Sequence, residues 1–358
     1  MKVIYIITGL SIGGAETVTV NLASKLMSLG HECCIFCLTG KQIVHVPENI
    51  KVYELNMKKT PMGFIKALVA GKKLVKVIKP NVVHANMFHA IIYARLLRLF
   101  VHIPRLVCTE HSMNYHGEVR RFIEGHTDFL SDVNTHVAES ATAFFVQKKI
   151  FKKEKTQTVI NGIDVQKFSK NGKRKIIREE YKLDNDDFLF VNVGRFNEAK
   201  DHKNLVRAFS IVLQQYSNAR LMCVGTGELE AEIKQFASEL ELDDFVIFTG
   251  AKSNVVDFYN TADCFVLSSQ WEGLPIAIIE AMACELPVVT TECGKEVLQN
   301  PEWTVQIKNS EQLANKMAEL LLLSKEKRKE LGIENRKKSM QFSIDSIASK
   351  WLEIYSDK

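Results

Sequence analysis

The chain has 358 residues, of which 46% are hydrophobic and 25% charged, with a formal net charge of +5. This composition excludes a disordered or fibrous protein, and the length favours two domains of roughly 150–180 residues each. The apolar run Val3–Ile7 is too short for a secretory signal, and no segment approaches the ~20 apolar residues of a membrane span, so we expect a cytoplasmic protein. The eight cysteines lie mostly in apolar runs, as expected for buried thiols in a reducing compartment.

Short β-branched runs alternate with longer amphipathic stretches, which is typical of βαβ units with parallel sheets. The predicted strands of the first half are Val3–Ile7, Glu32–Leu38, Lys51–Leu55, Val82–His84, Arg105–Thr109, Thr135–Ala138 and Thr158–Ile160. Helices are predicted over Glu16–Leu29 and over Met62–Ile78, which Pro80 terminates. Turn residues at 161–164 follow, and we place the first domain at residues 1–165.

A second series of elements begins near Phe188. Its predicted strands are Phe188–Val193, Arg220–Val224, Val246–Thr249, Cys264–Leu267 and Pro287–Thr290, and its predicted helices are Lys203–Tyr216, Glu228–Leu240, Asn254–Asn260 and Pro275–Ala283. We therefore predict an α/β protein of two doubly wound, Rossmann-like domains that face each other, with ligand at the carboxyl ends of the strands. The second domain is placed at residues 166–340, and a C-terminal helix at residues 341–358.

Charge is distributed unevenly between the halves. Residues 1–165 contain 21 Lys and Arg against 12 Asp and Glu, net +9, whereas the remainder contains 26 against 30, net −4. The basic residues form either an ordinary solvated face or a surface that attracts an anionic membrane leaflet or a phosphorylated acceptor. A nucleic-acid partner is not expected, because aromatic residues do not interleave with these bases.

Glycine-containing turns follow several predicted strands. Gly13 and Gly14 open the first helix, but their spacing is not the dinucleotide fingerprint, so they fit either a backbone that approaches a ligand or a structural tight turn. Gly225 and Gly227 form another backbone-accessible turn, which is a weak indication by itself.

Two cations occupy the loop after the strand Phe188–Val193. Arg195, preceded by Gly194, lies just past the strand, and Lys200 lies just before a helix. A guanidinium forks onto phosphate oxygens and an ammonium adds a point charge, which together suit a diphosphate. The alternative interpretation is a charged surface loop.

Two carboxylates flank the start of a later helix. Glu272 precedes the helix that Pro275 starts, and Glu280 lies five residues into that helix, about 7.5 Å along its axis. Gly273 removes a side chain between them, and Leu274 follows it. One carboxylate can meet a donor sugar while the other reaches ribose hydroxyls, so that cations, carboxylates and helix amides together indicate a nucleotide-sugar site. The alternative is a helix cap and an exposed glutamate.

His111 ends a strand and is placed to hydrogen-bond a sugar hydroxyl or a reacting oxygen, although a lone histidine is usually structural. Asp184-Asn185-Asp186-Asp187 has the form of an Asp-x-Asp metal clamp, but it precedes a strand as a turn, and we interpret it as a solvated loop. No other residues show metal-ligand spacing, so no metal is expected.

In chain order these motifs resemble the retaining glycosyltransferases of family 4, which have the two-domain GT-B architecture. They are Gly13-Gly14-Ala15-Glu16, Glu110-His111, Asn161-Gly162-Ile163-Asp164, Gly194-Arg195 with Lys200, Gly225-x-Gly227, Glu272-Gly273-x-Pro275 with Glu280-Ala281, and Pro287-Val288-Val289. The resemblance covers nearly the whole chain. One departure is that the family's pair of glycines after Thr290-Thr291 is reduced to Gly294.

The resemblance implies a role for each site residue. Arg195 and Lys200 would bind the diphosphate as the main electrostatic catalysts, while Glu280 would bind the ribose. Glu272 would meet the donor sugar and His111 the reacting carbon. The remaining donor-site residues would be Gly13, Gly14, Gly194, Gly225, Gly227, Gly273 and Leu274. It also implies a last helix that crosses back to the first domain, no metal or other cofactor, and same-face attack with the leaving phosphate as base.

The expected reaction moves a hexose or N-acetylhexosamine from a UDP-sugar to a polyprenyl-diphosphate-linked saccharide in O-antigen, capsule or related surface glycan synthesis, lipopolysaccharide included. The basic first domain would hold the protein at the inner face of the plasma membrane. Alternatives are a small soluble acceptor or a GT-B epimerase. A non-catalytic partner subunit is disfavoured, because the cations and carboxylates of the site are intact.

Overall fold

A computed structural model describes residues 1–11, 14–40, 44–111 and 117–357. The chain folds into two compact units: unit 1 is Met1–Ile163 with Ile344–Lys358, and unit 2 is Asp164–Ser343. The domain limits expected at residues 165 and 340 thus lie two residues after the first boundary and three before the second.

Unit 1 is built on parallel strands that alternate with helices. Its strands are β1 Lys2–Ile7, β2 Glu32–Cys37, β3 Lys51–Glu54, β4 Val82–Asn86, β5 Arg105–Glu110, β6 Val133–His136 and β7 Thr156–Thr158. The helices between them are α1 Gly14–Ser28, α2 Pro61–Ile78, α3 Phe88–Arg98, α4 Glu118–Thr127 and α5 Glu139–Gln147. Over the described residues the strand order is β3-β2-β1-β4-β5-β6-β7, so the order reverses beside β1. Helices cover both faces of such a sheet, which explains why its strands are nearly continuous apolar runs.

Unit 2 repeats this plan with its own core. Its strands are β8 Phe188–Val193, β9 Ala219–Val224, β10 Val246–Gly250, β11 Cys264–Leu267, β12 Val288–Thr291 and β13 Thr304–Val305. Its helices are α6 Arg174–Glu180, α7 His202–Leu213, α8 Glu230–Glu239, α9 Val255–Thr261, α10 Ile276–Ala283, α11 Ser310–Leu322 and α12 Lys325–Ser339. The order is β10-β9-β8-β11-β12-β13, which reverses beside β8. Ligands of doubly wound sheets bind at such a reversal, outside the carboxyl ends of the strands.

The predicted α/β fold with two doubly wound sheets is confirmed. The predicted strands are present, with shifts such as β6, which starts at Val133 rather than Thr135. The strand β13 was not predicted, because two residues at a sheet edge carry too little periodicity to be recognised.

The last helix, α13 Ile344–Ser356, belongs to unit 1. Trp351 and Tyr355 are buried in the same core cluster as β1 and α1. The Tyr355 hydroxyl lies 2.6 Å from Nδ1 of His84, whose ring lies 4.5 Å from the Trp351 ring. A Cβ at Gly162 would come within 2.9 Å of the Cα of Ile344, so only glycine lets the start of α13 approach this closely.

Candidate functional site

The clearest arrangement of charged groups in unit 2 is the pair of Lys200 and Glu272. The Lys200 ammonium donates to Oε1 of Glu272 at 2.6 Å, and Ser269 donates to the same oxygen at 2.6 Å. The side chains of Lys200 and Glu272 are only 19% and 11% exposed. Because a partly buried ion pair with a further hydroxyl donor has little freedom, the ammonium is held at the carboxyl end of the sheet, beside the strand-order reversal.

Further hydrogen bonds join the two loops that carry this pair. The Ser268 hydroxyl donates to the carbonyl of Lys200 at 2.8 Å, and the Gln270 amide donates to the carbonyl of Ala199 at 2.8 Å. Thr291, at the end of β12, donates its hydroxyl to the carbonyl of Ser269 at 2.6 Å. The loops after β8, β11 and β12 are therefore fixed to one another, which pre-organises the cation.

Arg195 is the more open of the two predicted phosphate ligands. Its Nε donates to Glu228 at 3.1 Å, and the two side chains are 67% and 55% exposed. The pKa of Glu228 is lowered, chiefly by its own backbone amide and further by Arg195. In the described contacts of Arg195 the terminal guanidinium nitrogens have no protein acceptor, so they are available for phosphate oxygens.

Two of the three predicted glycines of this region, Gly225 and Gly227, have a structural reason to be glycine. A Cβ at Gly225, whose φ is 144°, would collide with the carbonyl oxygen of Gly194, and a Cβ at Gly227 would collide with the backbone of Phe196. The amides of Gly194 and Gly225 donate to the carbonyls of Val224 and Gly250, each at 3.0 Å. The glycines thus allow two loops to pack closely, and their contact with a donor remains a prediction.

Glu280 lies on α10, after Gly273 and the buried Leu274. Its Oε2 accepts a hydrogen bond of 2.9 Å from the Tyr259 hydroxyl. Burial raises the pKa of Glu280 from 4.5 to about 7, against the lowering by Tyr259 and Lys167. Tyr259 was not predicted, because its pairing with Glu280 depends on the packing of α9 against α10.

Gly294 is the single glycine left in the loop after β12. A Cβ there would collide with Cδ1 of Ile278 and Oγ1 of Thr290, so this position also admits only glycine without rearrangement. The loop after β12 therefore packs tightly against α10.

In unit 1, His111 follows β5 and is paired with Asn86 at the end of β4. Its Nε2 lies 2.9 Å from the Asn86 amide oxygen, and its Nδ1 has no partner among the described residues. Because an amide oxygen only accepts, Nε2 carries the proton and Nδ1 presents a lone pair. Burial, and then His136, lower the pKa of His111 to about 3, so the ring is neutral at physiological pH.

A buried cluster of ionisable side chains includes Glu110, the residue before His111. The pKa of Glu110 is raised well above its ordinary value by burial and then by the neighbouring Glu124, whose own pKa burial raises to about 7. Arg95, which is fully buried, donates to the Glu124 carbonyl at 2.9 Å and to the Ser131 hydroxyl at 3.0 Å. Arg95 thus joins α3 to α4 and to the segment before β6.

Two further predictions concern the glycine turn and the acidic run. Gly14 begins α1 and is exposed, whereas Gly13 lies outside the described residues. Asp184, Asn185 and Asp186 are exposed as predicted, whereas Asp187 is buried, accepts from the Asp184 amide at 2.8 Å and pairs with Arg220 at 3.2 Å. The turn needs an internal acceptor, which explains the correction. The described part of the chain contains no cluster of three or more metal-ligating side chains.

Two family models match successive parts of this chain. The model "Glycosyltransferase Family 4" matches residues 12–167, and the model "Glycosyl transferases group 1" matches residues 173–338. The chain belongs to the family 4 glycosyltransferases. Together the two matches cover most of the chain, the first over strands of unit 1 and the second over strands of unit 2.

Curated relatives of this glycosyltransferase cover different shares of it. An uncharacterised glycosyltransferase of Methanocaldococcus jannaschii is 34% identical over 44% of this chain and 39% of its own length. The N-acetyl-alpha-D-glucosaminyl L-malate synthase of Bacillus anthracis is 25% identical over 97% of this chain and 94% of its own. An N-acetylgalactosaminyltransferase of Campylobacter jejuni, named for an N-acetylgalactosamine-N,N'-diacetylbacillosaminyl-diphospho-undecaprenol substrate, is 25% identical over 80% of this chain and 79% of its own.

Solved structures show that the glycosyltransferase has the GT-B fold. The crystal structure of Anabaena HepE in complex with UDP and glucose matches with a TM-score of 0.87 and 17% identity, over 100% of both chains. A glycosyltransferase from Rickettsia africae matches with a TM-score of 0.88 and 19% identity, over 99% of this chain and 98% of that one.

The structure brings only part of the predicted site into direct contact. Lys200 and Glu272 are hydrogen-bonded, whereas Arg195 and Glu280 have other partners, and Gly14 and His111 belong to unit 1. Sequence reasoning missed Ser269, Tyr259 and Asn86. No sequence pattern marks these three residues, because each acts through a contact that forms only when separate loops or helices pack together.

None of the described helices of this glycosyltransferase is sufficiently long and apolar to cross a lipid bilayer.

Proposed function

We propose that this glycosyltransferase moves a hexose or N-acetylhexosamine from a UDP-sugar to a lipid-linked saccharide, with retention of anomeric configuration and without a metal ion. The observation that carries the proposal is the Lys200 ammonium, held by Glu272 in a loop that also presents the open guanidinium of Arg195. Two cations at the carboxyl end of a doubly wound sheet suit a diphosphate leaving group.

The proposed reaction begins with the donor diphosphate on Arg195 and Lys200. The bond between the anomeric carbon and the phosphate oxygen breaks, and its electron pair leaves with the nucleoside diphosphate. The acceptor hydroxyl attacks the same face of the sugar and passes its proton to the leaving phosphate oxygen. The two cations stabilise the negative charge that develops on the diphosphate, which takes the place of a metal ion in this proposal.

Uracil as the donor base is supported by the Anabaena structure, which contains UDP and glucose. In this proposal the carboxyl of Glu280 binds the ribose hydroxyls and Glu272 binds the transferred sugar. Glu272 would then exchange part of its contact with Lys200 for a sugar hydroxyl when the phosphate arrives.

A lipid-linked acceptor is supported by the Campylobacter relative, whose name specifies a diphospho-undecaprenol-linked substrate. We propose that the protein works at the cytoplasmic face of the membrane and contacts anionic lipid through its basic first half. A small soluble acceptor is the second candidate, because the Bacillus anthracis relative is named for a transfer to L-malate and matches nearly the whole chain.

A transfer assay with the purified protein tests these proposals together. UDP- and GDP-activated hexoses and N-acetylhexosamines are incubated with a polyprenyl-diphosphate-linked sugar, with small hydroxy acids, or with no acceptor, in the presence of EDTA. We expect EDTA-resistant transfer from one UDP-sugar to the lipid-linked acceptor, with an α-linked product from an α-linked donor by NMR. Transfer only to hydroxy acids would support the second candidate, and isomerisation of donor alone would identify an epimerase.

A further inference from the structure

The outward side of α2 exposes large apolar side chains. Val77 is 80% exposed, Met62 62%, Ile65 52% and Val69 49%. Met62, Ile65 and Val69 recur at spacings of three and four residues, which places them on one side of a helix. The opposite side of the helix packs inside unit 1, since Ala67, Gly71 and Val75 are buried.

Every charged residue of this helix is a lysine. Within α2 these are Lys66, Lys72, Lys73 and Lys76, and Lys79 follows at its C-cap. Lys66, Lys73 and Lys76 are exposed like the apolar residues beside them. An exposed face that mixes large apolar side chains with lysines and lacks acidic residues has the composition of helices that lie in a membrane interface.

The helix is well formed before it meets any partner. The Thr60 side chain accepts from the Gly63 amide at 3.1 Å, Pro61 occupies the first helical position, and Lys79 ends the helix in a left-handed conformation. Its 18 residues are therefore helical before binding, so binding adds no cost of folding the helix backbone.

We propose that the outward face of α2, defined by Met62, Ile65, Lys66, Val69, Lys73, Lys76 and Val77, docks this enzyme on an anionic lipid bilayer. The apolar side chains enter the interfacial region, and the lysines contact anionic headgroups. A second copy of the chain is a poorer occupant, because a twofold contact through this face would bring the same lysines against one another. This surface specifies the membrane contact of the proposed function. Its role in reaching a lipid-linked acceptor rests on that proposed function, whereas vesicle binding itself does not.

The test is sedimentation of the full-length protein with vesicles of phosphatidylcholine alone or of phosphatidylcholine with about 30 mol% phosphatidylglycerol. This fraction gives the vesicles roughly the anionic charge of a natural membrane surface. We expect binding to the anionic vesicles that weakens with added salt. Ile65→Ser with Val69→Ser should weaken it about tenfold or more, because both side chains lose buried CH₂ groups. Lys73→Gln and Lys76→Gln should each weaken it roughly fivefold at low salt.

The matched control is Ile333→Ser with Lys337→Gln on α12 of unit 2, two exposed positions of the same residue types. This control should bind like the wild type. Equal binding by the α2 variants and the wild type, or an equal loss in the control, would overturn the proposal. A wild-type dimer in analytical ultracentrifugation that the α2 variants abolish would overturn it in favour of self-association.

Transfer to a water-soluble, short-chain acceptor separates this inference from the proposed function. The α2 variants should keep wild-type turnover in that assay, since the substituted side chains already face solvent. If no transfer is found with any donor, the proposed function fails while vesicle binding still decides the role of α2. If transfer is normal and vesicle binding does not depend on α2, only this inference fails.

Discussion

Lys200 is the residue whose charge is most tightly placed in the candidate donor site. We predict that Lys200→Ala lowers kcat about 100- to 1000-fold, since the loss of one pre-organised donor to a developing charge costs roughly 3–4 kcal/mol. Steady-state rates at saturating donor measure this effect. Lys203→Ala is the matched control, because Lys203 pairs with Glu232 at the surface of unit 2 and should leave kcat unchanged. A normal kcat in Lys200→Ala would contradict the role proposed for the ammonium.

Asn86 determines which nitrogen of His111 carries the proton. We predict that Asn86→Asp raises the pKa of His111 by about 1–3 units, because a carboxylate beside Nε2 favours the imidazolium. NMR titration of the histidine ring protons measures the change. Asn86→Ala should lower turnover up to about 100-fold by releasing the ring. An unchanged titration of His111 in Asn86→Asp would show that the pair does not persist in solution.

Glu280 makes stability depend on pH in a defined direction. Its pKa is raised in the folded protein, so its contribution to stability is present below pH 4.5 and is lost as the pH rises through about 7. Glu280→Gln cannot ionise and should be more stable than the wild type by about 1–3 kcal/mol at pH 8, with the advantage disappearing near pH 5. Urea unfolding at the two pH values measures this. Equal stability of the variant and the wild type at both pH values would refute the buried, protonated state of Glu280. Separately, the same variant should lose donor affinity if Glu280 binds the ribose.

The limits of sequence reasoning are also visible at single residues. Lys200 and Glu272 could be assigned to one site because each follows a strand of the same predicted sheet, and parallel strands end at one edge. Their direct ion pair could not be predicted, since it depends on the conformations of the two loops. The cluster of Arg95, Glu110 and Glu124 was invisible for the same reason: strongly charged residues normally face solvent, and only tertiary packing shows that these are buried.

At the scale of elements, apolar runs predicted the strands well because both faces of each sheet are covered. The two-residue β13 had no such pattern, and the partner of α13 could not be read from its apolar stripe alone. In the structure that partner includes His84, whose burial lowers its pKa to about 3 and keeps it neutral against the Tyr355 hydroxyl.

We predict that Tyr355→Phe lowers the free energy of unfolding by about 1–3 kcal/mol, since it leaves Nδ1 of buried His84 without a partner. Chemical denaturation monitored by circular dichroism measures the loss. Tyr216→Phe, on a residue after α7 of unit 2, is the matched control and should change stability by less than about 0.5 kcal/mol. A fully stable Tyr355→Phe protein would show that the hydrogen bond to His84 adds nothing to the docking of α13.

At the scale of the whole molecule, the chain leaves unit 1 at Ile163 and returns to it at Ile344. Unit 1 therefore depends on residues from both ends of the chain, whereas unit 2 is continuous. Trp351, Ile354 and Tyr355 are all buried in the core cluster of unit 1, so removal of α13 would expose that apolar surface.

We predict that truncation before Ile344 unfolds or aggregates unit 1 and leaves unit 2 folded. Hydrogen exchange and limited proteolysis should show lost protection across β1 and α1, with β8 to β12 still protected. A truncation that removes only residues after Ser356 is the control, because α13 ends there, and it should behave like the intact chain. Since the packing of α13 is apolar and internal to unit 1, nucleotide binding to unit 2 should survive the longer truncation. Equal loss of protection in both units would instead mean that they unfold as one cooperative body.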